Sequence, residues 1–220
     1  MREAHLIASS ADGLPSAARD VVAYSTLFGR RGFTLYCYLD VTPVEANRIA
    51  TLLRNFNVHI ETDLILLPQR LALLAYRKVP TDVVVTISSH GYWSGQNYIR
   101  FKGKQLPSIT FTAWLTPLAS NLDVHALVLI DTCHSGMMCN LPLASTNQGG
   151  EGRLHAIAAC SNVESDRDDL STEFGFGGGL TSSVADYLGT NTAAFDIKAL
   201  YTACLTRLRK NAMTPQLRAV

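Results

Sequence analysis

Charge is scarce in this chain. Only 17% of its 220 residues are charged, and the net charge is +1. So small a balance exerts no long-range pull on nucleic acid or an anionic membrane surface, and neither is expected as a partner. Long apolar runs are missing too: no stretch of about 18 apolar residues offers a membrane span. The opening Met1-Arg2-Glu3-Ala4-His5-Leu6-Ile7 carries an acid early and has too short an apolar run for a secretory signal. A disulfide framework is also absent from the pattern. The five cysteines are odd in number, and Cys37, Cys133 and Cys160 sit in or at the end of strand-like runs. That usage fits free thiols in a reducing compartment, so a cytoplasmic location is expected. No repeat and no linker-like stretch divides the chain. One domain over residues 1–220, without a separate prodomain, is expected.

What the chain does have is apolar residues, 47% of the total. Apolar runs alternate with amphipathic ones, which predicts an α/β fold: a mostly parallel sheet of about six strands with helices on both faces. The strand-like runs are His5 to Ala8, Phe33 to Leu39, Val83 to Ser88, Ala126 to Asp131 and Leu154 to Cys160. Val58 to Glu61 is a shorter one, and Tyr98 to Phe101 reads as part of a surface hairpin. Helices are expected over Ala17 to Arg30, Pro43 to Phe56, Gln69 to Lys78, Thr112 to Asn121, Leu180 to Leu188 and Asp196 to Asn211. The second opens with Thr42 as a cap, Pro43 in the first turn and Glu45 placed to complete a capping box. Its apolar face is Ile49, Leu52, Leu53 and Phe56. Loops are expected over Asn140 to Arg153 and Ser161 to Gly179.

Two strand ends carry chemistry. Ser88-Ser89-His90-Gly91 closes one apolar run, and Asp131-Thr132-Cys133-His134-Ser135-Gly136 closes another, with the cysteine 43 residues after the histidine. In α/β folds strand ends are where reactive groups gather, because rigid elements aim them and loops expose them. A thiol is mostly protonated at neutral pH and needs a base. His90 can take the Cys133 proton and return one to a leaving amine. The N–H groups of Gly91 and Cys133 are the candidate oxyanion hole. A cysteine ending a buried strand is most often a small core hydrophobe; the pairing with His90 is what raises it above that.

These motifs resemble those of the caspase–metacaspase cysteine peptidases, and the metacaspases more closely. The resemblance extends to Leu14-Pro15-Ser16-Ala17-Ala18-Arg19-Asp20, to Arg31-Gly32-Phe33, to Ala156-Ile157-Ala158-Ala159-Cys160, to Gly179-Leu180-Thr181-Ser182-Ser183 and to Thr214-Pro215-Gln216-Leu217. The caspase nucleophile signature has a different flank, with its histidine about 50 residues upstream. The resemblance implies a caspase-like three-layer sandwich. It also implies an endopeptidase acting on peptides or proteins with Arg or Lys just before the scissile bond. Asp131, Ser88 and Asp20 match the acidic S1 pocket, where a guanidinium pairs with carboxylates. An alternative alignment takes Phe33 to Leu39 as the first strand and moves the pocket acid to Asp40. A solvated helix start is the bland reading of Asp20.

The chain also departs from the metacaspase pattern. Ala17 stands where a cysteine is frequent. No Asp or Glu occurs between His90 and Leu122, and Asn140 occupies the matching position after the nucleophile. Calcium prefers several carboxylate oxygens, so a calcium-independent enzyme without metal or other cofactor is expected. The acids Glu164, Asp166, Asp168 and Asp169 could bind a cation, but read first as a solvated loop near the substrate groove. The resemblance also implies self-cleavage after a basic residue, with Arg153 and Arg167 as candidates, and a monomer. Three rival readings remain. Phe174 to Ser182 is glycine-rich before a helix and could cradle a phosphate, but the P-loop lysine is missing. Zinc on Cys133, His134, Cys139 and His155 matches no common spacing. A catalytically silent scaffold of the same fold is the third.

Overall fold

The computed structural model describes residues 1–10, 13–14, 16–94, 96–119, 121–133, 154–159, 170–172, 175–177, 179–190, 197–210 and 216–219. In chain order the elements are β1 (Arg2–Ser9), α1 (Ser16–Gly29), β2 (Thr34–Asp40), α2 (Pro43–Leu53), β3 (Val58–Glu61) and α3 (Leu66–Ala75). There follow β4 (Thr81–Ser88), β5 (Gly91–Trp93), β6 (Asn97–Phe101), β7 (Lys104–Pro107), α4 (Ser108–Ala119) and β8 (Val124–Asp131). The last are β9 (Leu154–Ala158), β10 (Leu170–Thr172), β11 (Gly175–Gly177), α5 (Gly179–Thr190), α6 (Ile197–Lys210) and β12 (Gln216–Ala219).

The main sheet has the order β12-β9-β8-β4-β1-β2-β3. Its strands from β9 to β3 pair in parallel, which makes the six parallel strands the pattern predicts. A seventh, β12, joins β9 antiparallel. Side-chain alternation splits the core in two. On β1, Ala4, Leu6 and Ala8 enter one apolar cluster, with Val21, Tyr24 and Phe28 of α1, Ile49 and Leu53 of α2, Val184 of α5 and Leu200 of α6. Ile7 points the other way, into the cluster of Leu67 and Leu71 on α3 and Phe111 and Leu115 on α4. The inner strands are apolar on both faces because helices cover both.

The structure refines several expectations. The capping box at α2 is formed: Glu45 N–H donates to Thr42 Oγ1 (3.3 Å) and Thr42 N–H to Glu45 Oε2 (2.9 Å). But α2 stops at Leu53, and Leu52 is 52% exposed. Phe56 lies beyond the helix, where its ring lies so close to Gly29 that a Cβ there would come 2.8 Å from its Cγ. α3 begins ahead of the expected Gln69 because Pro68 sits in its first turn, where no N–H is needed. The β10–β11 hairpin falls inside the expected loop over Ser161 to Gly179. Glycine has low strand propensity, so this pairing left little trace in the pattern. β1 precedes α1, so the run over Thr34–Asp40 is the second strand, not the first. Asp20 on α1 is fully buried rather than solvated.

Candidate active site

β4 reads TDVVVTIS and β8 reads VHALVLID. They are adjacent and parallel, in a register that sets Thr81 against Val124 and Ser88 against Asp131. Both strands therefore end at the same level. Neighbouring strands lie about 4.8 Å apart, so the segments that follow emerge side by side, Ser89-His90-Gly91 from one and Thr132-Cys133 from the other. Their contact is tight. A Cβ built on Gly91 would strike the Cys133 carbonyl oxygen and lie 2.8 Å from its carbonyl carbon. Only glycine allows this approach. The hydroxyls of Ser89 and Thr132 each donate to the next residue's carbonyl, His90 O and Cys133 O, at 3.2 Å.

Burial separates Cys133 from the other described free thiols. Cys37 and Cys204 are buried, and burial pushes both thiols up to about 12. In Cys204 the nearby Asp131 charge adds to the rise. Such thiols stay protonated and inert. Cys133 and His90 are half-buried at the edge of the sheet, while Ser88, Ser89, Asp131 and Thr132 beneath them are enclosed.

Two carboxylates lie under this edge. Asp131 is 3% exposed, and its oxygens accept the backbone N–H groups of Leu180 (3.1 Å) and Thr181 (2.5 Å). It caps α5, a helix with no acid in its own first turn, at the end where N–H groups are unpaired and the dipole favours negative charge. Asp20 accepts the Ser88 hydroxyl. Because Ser88 is the ladder partner of Asp131, both acids lie below the Cys133 edge. One turn after Asp20, the Tyr24 phenol is held well above its ordinary range, first by burial and then by the Asp131 charge, with Asp20 adding to it. Asp40, the alternative pocket acid, is engaged elsewhere. It accepts from Ser9 Oγ (2.8 Å) and from the Lys102 N–H (2.6 Å), tying the β6–β7 turn to the sheet.

Sequence reasoning missed the aromatic neighbours of His90. Strand β5 starts at Gly91 and pairs antiparallel with β6, setting Tyr92 against Tyr98. The His90 and Tyr92 rings are 6.1 Å apart and tilted by 59°. Tyr98 stacks on Tyr92 at 5.2 Å, and the Arg100 guanidinium lies 4.7 Å from the Tyr92 centroid. The signal was the period-2 spacing of Tyr98 and Arg100, unreadable without the partner strand.

The rest of the expected site falls elsewhere or outside. Leu180 and Thr181 give their amides to Asp131, so a carboxylate already occupies the place where a phosphate would sit before α5. His134, Cys139, Asn140, Arg153, Cys160, Glu164, Asp166, Arg167, Asp168 and Asp169 lie outside the described residues. Among the described residues no cluster of His, Cys, Asp and Glu could hold a metal ion. No described helix is long and apolar enough to cross a membrane.

No protein-family model matches the chain, and no curated protein matches it in sequence. Solved structures do match it in shape. A Geobacter sulfurreducens protein determined as a structural-genomics target aligns over 100% of this chain and 93% of its own, with a TM-score of 0.67 at 12% identity. Caspase-1 from Spodoptera frugiperda aligns over 100% of this chain and 85% of its own, with a TM-score of 0.62 at 12% identity. The fold is caspase-like. Identity this low speaks for the fold alone, and the parallel sheet with helices on both faces agrees with it.

Proposed function

We propose that this protein is a cysteine endopeptidase of metacaspase type that cleaves after Arg or Lys without calcium. The observation that carries the reading is the shared level of β4 and β8, which sets His90-Gly91 against Cys133 with a glycine at the contact. His90 takes the Cys133 thiol proton, and the thiolate adds to the scissile carbonyl. The Gly91 and Cys133 N–H groups receive the oxyanion. The C–N bond breaks as His90 passes that proton to the leaving amine. Water, deprotonated by His90, then releases the acyl group and restores the thiol.

Asp20, Ser88 and Asp131 form the S1 floor in this reading. Asp131 gives one lone pair on each oxygen to an α5 amide, and a carboxylate oxygen keeps another for a cationic guest. Two buried acids on one floor favour a guanidinium or ammonium and reject an aspartate. The natural substrates are peptides or proteins with Arg or Lys in that position. The enzyme acts as a cytoplasmic monomer, and Arg153 or Arg167 is the site of any self-cleavage. Intact masses of wild type and Cys133→Ala test that last point; identical masses would remove it.

Three matched fluorogenic peptides ending in Arg, Lys or Asp test the whole reading, with and without a calcium chelator, beside Cys133→Ala. Thiol-dependent cleavage after Arg or Lys that survives chelation is expected. Cleavage only after Asp would overturn the pocket while keeping the dyad. No cleavage under any condition would favour a silent scaffold.

A further inference from the structure

A general base works only when its ring is held at the right angle to the nucleophile. His90 lies past the end of β4, half-buried, on a segment with no regular pairing of its own. Among the described residues no hydrogen bond or ion pair holds its imidazole; its ring contact is with Tyr92. A centroid distance of 6.1 Å with a 59° tilt lies within the attractive, edge-toward-face range for aromatic pairs. Tyr92 is in turn fixed twice, by the stacked Tyr98 ring across the strand pair and by the Arg100 guanidinium. A cation over a tyrosine ring is attracted by the electron-rich face. The opposite side of this small sheet is anchored, since Ile99, Phe101 and Leu106 enter the core under α4.

We propose that Tyr92 is a positioning residue for His90, and that Tyr98 and Arg100 clamp Tyr92 so that the hairpin, rather than a carboxylate, orients the base. The inference rests on the Cys133–His90 reading. Tyr92 touches neither the thiol nor the scissile bond in it; its work is to narrow the range of imidazole orientations. The ring does this work, not the phenol hydroxyl, so phenylalanine should serve and an aliphatic residue should not.

The test follows Cys133 alkylation by iodoacetamide from pH 5 to 9, read by mass spectrometry on the Cys133 peptide of the full chain. Alkylation needs no peptide substrate, so it separates the two readings; cleavage of the fluorogenic Arg peptide gives kcat and kcat/KM. The acid limb of the wild-type profile is the reference. His90→Ala should move that limb to higher pH. Tyr92→Leu should move it the same way and lower kcat/KM about tenfold, chiefly through kcat. Tyr92→Phe should restore both to within about twofold. Arg100→Met should move the limb by a smaller amount, and it supplies the test should Tyr92→Leu fail to fold. A wild-type limb in Tyr92→Leu, or in Arg100→Met if that variant stands in, would overturn the positioning role while leaving the dyad intact. A limb unmoved by His90→Ala would overturn the dyad, and the positioning role with it.

Discussion

Two polar constellations are buried against this sheet, and they differ in kind. One lies under the C-terminal ends of β4 and β8, with Asp20, Ser88 and Asp131 below half-buried His90 and Cys133. The other lies under α3. There Glu3 pairs with Arg77 (3.1 Å), and His5 sits 3.6 Å from Glu3 and 3.3 Å from the Tyr38 hydroxyl. Arg70 donates to Tyr38 (3.2 Å) and Glu61 (2.6 Å) and lies over the Tyr36 ring at 4.3 Å. His5, Tyr36 and His59 form a stacked row. In the α3 network acids, bases and rings answer one another. At the strand ends the acids are tied to a hydroxyl and to helix amides, while the thiol and imidazole reach the surface. Buried polarity alone is thus a poor marker of function. The proposed site rests instead on a half-exposed thiol beside a close glycine contact.

That contrast is easiest to break at the strand ends. Cys133→Ala and His90→Ala should each lower peptide cleavage by on the order of a thousandfold or more, with the thermal midpoint within a few degrees of wild type. A retained rate would move the nucleophile elsewhere. Gly91→Ala should cost about a hundredfold in kcat/KM, because the new methyl must push the Cys133 carbonyl aside. Wild-type kinetics in that variant would mean the strand ends are not closely packed. Asp131→Asn should lower unfolding free energy by about 1–3 kcal/mol, since a charged acceptor at the α5 amides is lost; denaturant titration reads it.

The α3 network should respond in stability alone. Arg70→Ala should cost about 1–2 kcal/mol, a modest figure because Arg70 is partly exposed, and leave cleavage kinetics unchanged. A fall in kcat would show the two regions to be coupled. Acid should weaken the network. Burial, partly offset by Glu3, holds His5 below its usual 6.5. The unfolded chain therefore takes up that proton first, and stability falls as pH drops below 6.5. Burial works to raise Glu3, but His5 at 3.6 Å and the charges of Arg77 and Arg70 outweigh it and leave the acid below its usual 4.5. Its contribution is present above that value and is lost as pH falls through the folded pKa. Thermal midpoints at pH 7 and pH 5 should differ less in His5→Phe than in wild type. An equal difference would remove His5 from the acid response.

Much of this was legible in the chain. Inner parallel strands are covered on both faces, so β4 and β8 had to be nearly continuous apolar runs, and the residues just past them stood out as His90 and Cys133. The α2 cap was legible because both partners lie three residues apart. What was hidden depends on distant partners. The Ser88–Asp20 bond spans 68 residues, and the Asp131 bonds to α5 span 49 and 50. Tyr92 was passed over because its meaning comes from Tyr98 and Arg100 across a turn. The α3 network was invisible for the same reason, joining β1, β2, β3 and α3 through side chains that look ordinary one at a time.

The sequence by itself determined the parallel strands, the helices to within a turn or so, and the identity of the half-buried thiol and imidazole at the strand ends, because hydrophobic periodicity and strand-end chemistry are local properties. Tertiary structure decided how closely Gly91 meets the Cys133 carbonyl, that Asp131 caps α5 and that Tyr92, Tyr98 and Arg100 gather beside His90. Strand order and register set those distances, and they follow from how the two helical layers cover the sheet rather than from any single segment.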